Sequence, residues 1–131
     1  MSVDADTVRH MNATRITTAF IPVADPAAAA RWYSRILGFQ VHSVDEWSAI
    51  LRSGEGDDST SLTLMGPASG IQTEPGLDWA TCNFTVTDLS QARSDLEDHG
   101  CEPTAIEGAP EICRFFTIKD PDGNTLLVTD R

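Results

Sequence analysis

Positive charge is scarce in this chain. It carries 9 Lys and Arg against 20 Asp and Glu, for a formal net charge of −11. Phosphate backbones need Lys and Arg to replace their counterions, so this balance argues against a nucleic-acid partner. It permits a cationic ligand, because an acidic cleft concentrates cations, and it equally serves solubility. Long apolar runs are missing too. None approaches the roughly 20 residues that span a bilayer, which argues against a membrane-spanning helix. The polar start lacks the apolar core of a signal peptide, and a cytoplasmic location is expected. Cysteine is sparse: Cys82, Cys101 and Cys113 are odd in number and form no CxxC pair. That argues against a disulfide scaffold or a zinc knot and fits reduced thiols. No nucleophile elbow, HExxH, P-loop or Ser/His/Asp arrangement occurs.

What remains is a chain of 131 residues, the size of one domain with a real core. Its 40% hydrophobic content is that of a globular protein rather than a disordered one. Residues 1–14 read as a flexible extension. Ile16–Val23 then alternates as a strand, with Pro22 placing its end at an edge or bulge. Asp25 is positioned to cap a helix, and Pro26 sits at the first helical position, where its missing N–H costs nothing. Ala29, Trp32, Tyr33, Ile36 and Leu37 follow at helical spacing, and Gly38 stops the helix. Strand-like pieces at Phe39–Val44, Trp47–Arg52 and Ser61–Met65 come next, with a polar turn at residues 53–59. The Gly- and Pro-rich stretch after Met65 reads as a linker, about residues 67–78.

The pattern then restarts. Thr81–Val86 is a strand, and Asp88 with Gln91 forms a capping-box arrangement. Leu89, Ala92 and Leu96 make the apolar stripe, and Gly100 ends the helix. Strands are predicted at Glu102–Ile106, Ile112–Ile118 and Thr125–Thr129, the last two joined by the turn Asp120-Pro121-Asp122-Gly123-Asn124. Asp25 and Asp88 lie 63 positions apart, Gly38 and Gly100 62. A strand, a capped helix, a glycine stop and three strands therefore occur twice. The predicted architecture is α+β: two βαβββ modules, about residues 15–66 and 79–131, each a curved mixed four-stranded sheet with one helix. One module alone would leave a sheet face bare, so the two form a cleft, paired within one chain or swapped in a dimer.

Val23-Ala24-Asp25, Trp32-Tyr33 and Leu37-Gly38-Phe39, with Phe84-Thr85-Val86-Thr87-Asp88 and Phe115 through Asn124, together resemble the vicinal oxygen chelate superfamily. That superfamily includes glyoxalases, extradiol dioxygenases and bleomycin-resistance proteins. The motif residues themselves read as scaffold: Asp25 and Asp88 cap helices, Trp32, Tyr33 and Phe39 pack, and Gly123 permits a positive φ. A shared fold does not determine a reaction, so the site must decide.

The resemblance implies one divalent metal held by His and Glu on the inner sheet faces, a ligand set that leaves positions open for substrate oxygens. The positions it implies here are Thr18 and Thr81 for histidines, Leu127 for the closing glutamate, and about Thr63 for its counterpart in the first half. Hydroxyls are poor ligands and an isobutyl group is none. A slip of one residue recovers only Cys82 as a ligating type. No metal and no cofactor are expected. Of the three histidines, His10 lies in the extension, and His99 is accounted for by the helix C-terminus it occupies. His42 lies on a strand near Asp45 and Glu46.

A cavity lined by hydroxyls and apolar groups suits noncovalent binding of an organic molecule. Thr18, Phe20, Thr81 and Asn83 share inward parity on their strands. Trp47 and Trp79 sit at strand starts, where an aromatic can stack on a flat or cationic ligand. His42, Thr63, Cys113 and Leu127 complete the expected ligand-binding set, while Arg52 and Arg114 offer contacts to an anion. The leading expectation is a metal-independent binding protein of the bleomycin-resistance type, acting as a homodimer on an antibiotic or other aromatic or cationic small molecule. The alternative is a metal-free isomerase, cyclase or lyase drawing an acid or base from His42, Asp45, Glu46, Asp78, Glu111 or Cys113. A metal-dependent glyoxalase or dioxygenase would need ligands from other positions.

Overall fold

The computed structural model describes residues 14–53 and 60–131. The extension read over residues 1–14 lies outside these apart from Thr14, as does most of the polar turn at 53–59. The first module runs β1 (Thr18–Pro22), α1 (Pro26–Leu37), β2 (Gln40–Val44), β3 (Ser48–Arg52) and β4 (Ser61–Met65). A short 3-10 turn at Pro67–Ser69 follows. The second module runs β5 (Asn83–Thr85), α2 (Leu89–Asp98), β6 (Glu107–Ala109), β7 (Cys113–Lys119) and β8 (Thr125–Thr129). The sheets have the same order, β1-β4-β3-β2 and β5-β8-β7-β6. In each, the first strand pairs in parallel with the last and the other pairs are antiparallel. The predicted α+β architecture of two βαβββ modules is therefore present.

Local chemistry explains both helices. Asp25 accepts from the N–H groups of Ala27 and Ala28 at 3.0 and 3.3 Å, and Gly38 ends α1 with φ 77°. Asp88 accepts from Gln91 N–H at 3.0 Å. The reciprocal arm of the expected capping box is not made. Gln91 instead turns its amide along the helix and donates to Asp95 at 2.9 Å, a bond strengthened by the charge on its acceptor.

The helix-facing sides of the sheets form the core, with Ile21, Leu51, Leu62 and Leu64 in one module and Phe116, Ile118, Leu126 and Val128 in the other. Alternation along each strand leaves Thr18, Phe20 and Ile50 on the opposite face of the first sheet, and Asn83, Thr117 and Leu127 on that of the second. Where the modules meet, Phe39 packs edge-on against Phe84 with ring centroids 5.4 Å apart.

A polar knot closes the other side of this junction. Tyr33 of α1 donates to Asp120 at 2.7 Å. Asn124 donates to Asp120 and to the Pro22 carbonyl, and accepts from the N–H groups of Gly76 and Leu77. Asn124 is almost wholly buried, and these four bonds meet the bonding capacity of its amide.

One strand differs from expectation. The segment predicted as Glu102–Ile106 is irregular, and the strand lies instead at Glu107–Ala109. Pro103 has no N–H to give a ladder, and Thr104 meets β7 through its hydroxyl as well as its backbone: Thr117 N–H donates to Thr104 Oγ1 at 2.8 Å. Regular pairing begins only at Glu107, opposite Phe115. Gly108 then takes φ 96°, and a Cβ there would collide with the Cys113 carbonyl oxygen. Only glycine fits at that point of the hairpin.

Candidate functional site

The central strands hold six of the ten residues expected to bind ligand or stand just beside them. Thr18 on β1 and Thr63 on β4 place their hydroxyls 2.7 Å apart. Phe20 lies in register with Thr63 on the same face and is 53% exposed. In the second sheet, Leu127 is half-buried, with Asn83 and Thr117 as its cross-strand neighbours. Asn83 donates to the Thr129 hydroxyl at 2.9 Å. Thr81, just before β5, donates to the Phe20 carbonyl at 3.4 Å, a contact between the modules.

The other four stand apart. His42 is exposed on the edge strand β2, where the pairing slips between Val41 and Ser43. Trp47 is 55% exposed before β3, and Trp79 is 63% exposed before β5. Cys113 opens β7 with its sulfur 3.8 Å from the Arg131 carbonyl oxygen. Of the two arginines offered as anion contacts, Arg114 is bonded to Asp130 at 3.3 Å and its neighbourhood is therefore neutralised. His10 lies outside the described residues.

The four positions implied for metal ligands carry a poor donor set. Thr18 and Thr63 satisfy each other, Thr81 is engaged with a carbonyl, and Leu127 has no donor atom. Among the described residues, no group of three or more His, Cys, Asp or Glu side chains is gathered closely enough to hold a metal. Burial pushes the Cys82 thiol up, partly offset by a hydrogen bond with Thr81. A divalent metal does not fit these residues.

Sequence reasoning missed a cavity of about 630 Å³ elsewhere at the module junction. Ile36, Leu37 and Phe39 at the end of α1, Phe84 and Val86 of β5, and Leu96 of α2 line it. Of the ten expected residues only Asn83 reaches this cleft. Phe39 and Phe84 carried a signal, but as motif residues they read as ordinary packing. No sequence feature marks a void between packed elements.

A model of the Glyoxalase/Bleomycin resistance protein/Dioxygenase superfamily matches residues 14–128. The chain belongs to that superfamily. The antibiotic-binding protein TnmS3 from Streptomyces sp. CB03234 has a similar structure, with TM-score 0.72 at 21% identity over 91% of this chain and 97% of that one. The bleomycin resistance determinant encoded on the transposon Tn5 aligns with TM-score 0.66 at 23% identity, over 90% and 98% of the two chains. A lactoylglutathione lyase from Agrobacterium tumefaciens aligns with TM-score 0.71 at 15% identity, over 90% and 94%. At such identities the likeness is one of fold, shared by binding proteins and an enzyme alike. A search of curated proteins finds no significant match. No described helix is long and apolar enough to cross a membrane.

Proposed function

We propose that this protein binds a small aromatic or cationic organic molecule without a metal, on the open faces of its two sheets. The observation that carries this reading is the 2.7 Å contact between the Thr18 and Thr63 hydroxyls. Two positions where a metal-binding relative needs strong donors are here occupied with each other. Phe20 exposes a flat surface on the sheet face, Trp47 and Trp79 offer further rings apart from it ahead of β3 and β5, and the excess of acidic residues favours a cation. Antibiotic binding by TnmS3 and bleomycin resistance by the Tn5 determinant make a sequestering role the natural member of this class. A sheet face left bare by one chain is completed by a second copy, so a homodimer goes with this reading.

Calorimetric titration with bleomycin, before and after chelator treatment, tests it. Equal affinity in both states, with the drug recovered unchanged, is the expected result. Stoichiometric iron, zinc, nickel or manganese in the purified protein, with binding lost on chelation, would reject metal independence. Chemical conversion of the ligand would move the protein to the metal-free enzymes.

A further inference from the structure

We propose that the cleft between the end of α1 and α2 is a second binding site, selective for a planar aromatic cation. It lies against the free edge of β5, among residues on the helix-facing side of the sheets, and does not rest on the sheet-face reading. Its volume of about 630 Å³ falls within the range of pockets that enclose small organic ligands. The walls are apolar and include the edge-to-face rings of Phe39 and Phe84.

Neutral polar groups, Ser53, Thr60, Ser61, Asn83 and Thr85, also line the cleft. Among the described residues, Asp95 brings the one carboxylate to the lining, and no Lys or Arg lines the cleft. One turn further along α2, His99 places Nδ1 2.7 Å from the Asp95 carbonyl oxygen. A carbonyl only accepts, so in this geometry Nδ1 carries the proton. A carboxylate beside an aromatic wall favours a cationic ring system over an anion.

The strand edge adds further groups. Val86 N–H donates to the Thr129 carbonyl oxygen at 2.9 Å, which fixes the phase of the parallel β5–β8 ladder. Phe84 then turns its backbone groups to β8, and Thr85 turns its N–H and C=O to the free edge that lines the cleft. Strand groups with no partner among the described residues, beside a cavity, are ready partners for a ligand's polar atoms.

The probe is proflavine, a fluorescent planar cation, with anilinonaphthalene sulfonate as an anionic aromatic control. Titration of the whole chain, with amide shifts followed by NMR, should show saturable proflavine binding. The perturbed amides should cluster at Thr85, Ala92, Leu96 and His99. Ala92→Phe narrows the cleft and should weaken binding about tenfold or more. Asp95→Asn should weaken it by roughly fivefold and erase the preference over the anion. Circular dichroism of each variant verifies the fold, and the amide map of the unaltered protein gives an answer even where a variant fails to fold. Absence of saturable binding overturns the proposal, as does equal affinity for the anion. Shifts confined to Thr63, Thr117 and Leu127 would assign the probe to the sheet faces and leave that reading standing alone.

Discussion

Tyr33 and Asp120, 87 residues apart in the chain, are joined by a buried hydrogen bond of 2.7 Å between α1 of the first module and the β7–β8 turn of the second. Asp120 also accepts from Asn124 Nδ2 and from the backbone N–H groups of Asp122 and Asn124. A carboxylate held by four donors is satisfied without a cationic partner. The knot thus aligns the two modules, and with them every surface on which a ligand is proposed to bind.

Removing the phenol hydroxyl tests this alignment. Tyr33→Phe leaves the ring in place and takes one donor from a buried carboxylate. A loss of about 1.5–3 kcal/mol is expected, the range for hydrogen bonds to charged groups. Urea denaturation measures it. A change near zero would mean that the bond does not hold the modules together.

The same residue predicts an alkaline limit. Burial first, then the neighbouring Asp120 charge and its hydrogen bond, push the Tyr33 phenol far above the ordinary range. Below about pH 10 the phenol is protonated in both folded and unfolded chains, so its contribution to stability is fully present. Above that pH the unfolded chain sheds a proton that the folded chain keeps. Stability then falls as pH rises, by up to about 1.4 kcal/mol per pH unit from this group. Tyr33 is the chain's one tyrosine, so ultraviolet phenolate absorbance reports it without overlap. The absorbance should rise together with loss of circular dichroism, and the slope attributed to Tyr33 should vanish in Tyr33→Phe.

Asn124→Asp keeps the shape and reverses the chemistry. The Nδ2 position faces the Pro22 carbonyl and the Asp120 carboxylate, both acceptors. An aspartate there puts like charges together in a buried site and removes two donors. Destabilisation of about 3 kcal/mol or more at neutral pH is expected. Thermal unfolding should show partial recovery in mild acid, where one carboxyl takes up a proton. A variant as stable as the parent at neutral pH would overturn the account.

Trp47 and Trp79 separate stability from binding. Both are more exposed than buried, so alanine at either position should change stability by only about 0.5 kcal/mol. Loss of an aromatic contact should nonetheless weaken bleomycin binding about tenfold. Paired calorimetry and urea curves check both halves. A large stability loss with unchanged affinity would make these residues structural.

The helices were legible because their signals are local. Asp25, Pro26 and Gly38 act within a turn of the helix they bound, and the glycine stops at 38 and 100 marked both ends. Strand β6 was misplaced because its position depends on a partner. Apolar Ile106 and its neighbours suggested a strand, but pairing starts where Gly108 can approach the Cys113 carbonyl oxygen. Gln91 shows the same limit in a helix: the capping-box spacing is present, yet the side chain finds Asp95 instead. For the candidate site, strand parity puts Thr18 and Phe20 on one face of the first sheet and Asn83 beside Leu127 on the second. It carried no information about whether two such faces meet.

By itself the sequence determined the repeated βαβββ order and the residue types at the four positions where relatives place metal ligands. Periodicity, caps and motif spacing encode both, over distances of a few residues. Only the tertiary structure decided that Thr18 bonds Thr63 across 45 positions, and that Asn124 reaches the Pro22 carbonyl across 102. It also decided that a cleft opens beside α2. Such features depend on how two sheets and two helices settle against one another. Packing of that kind is a sum over many distant contacts, and no single stretch of chain specifies it.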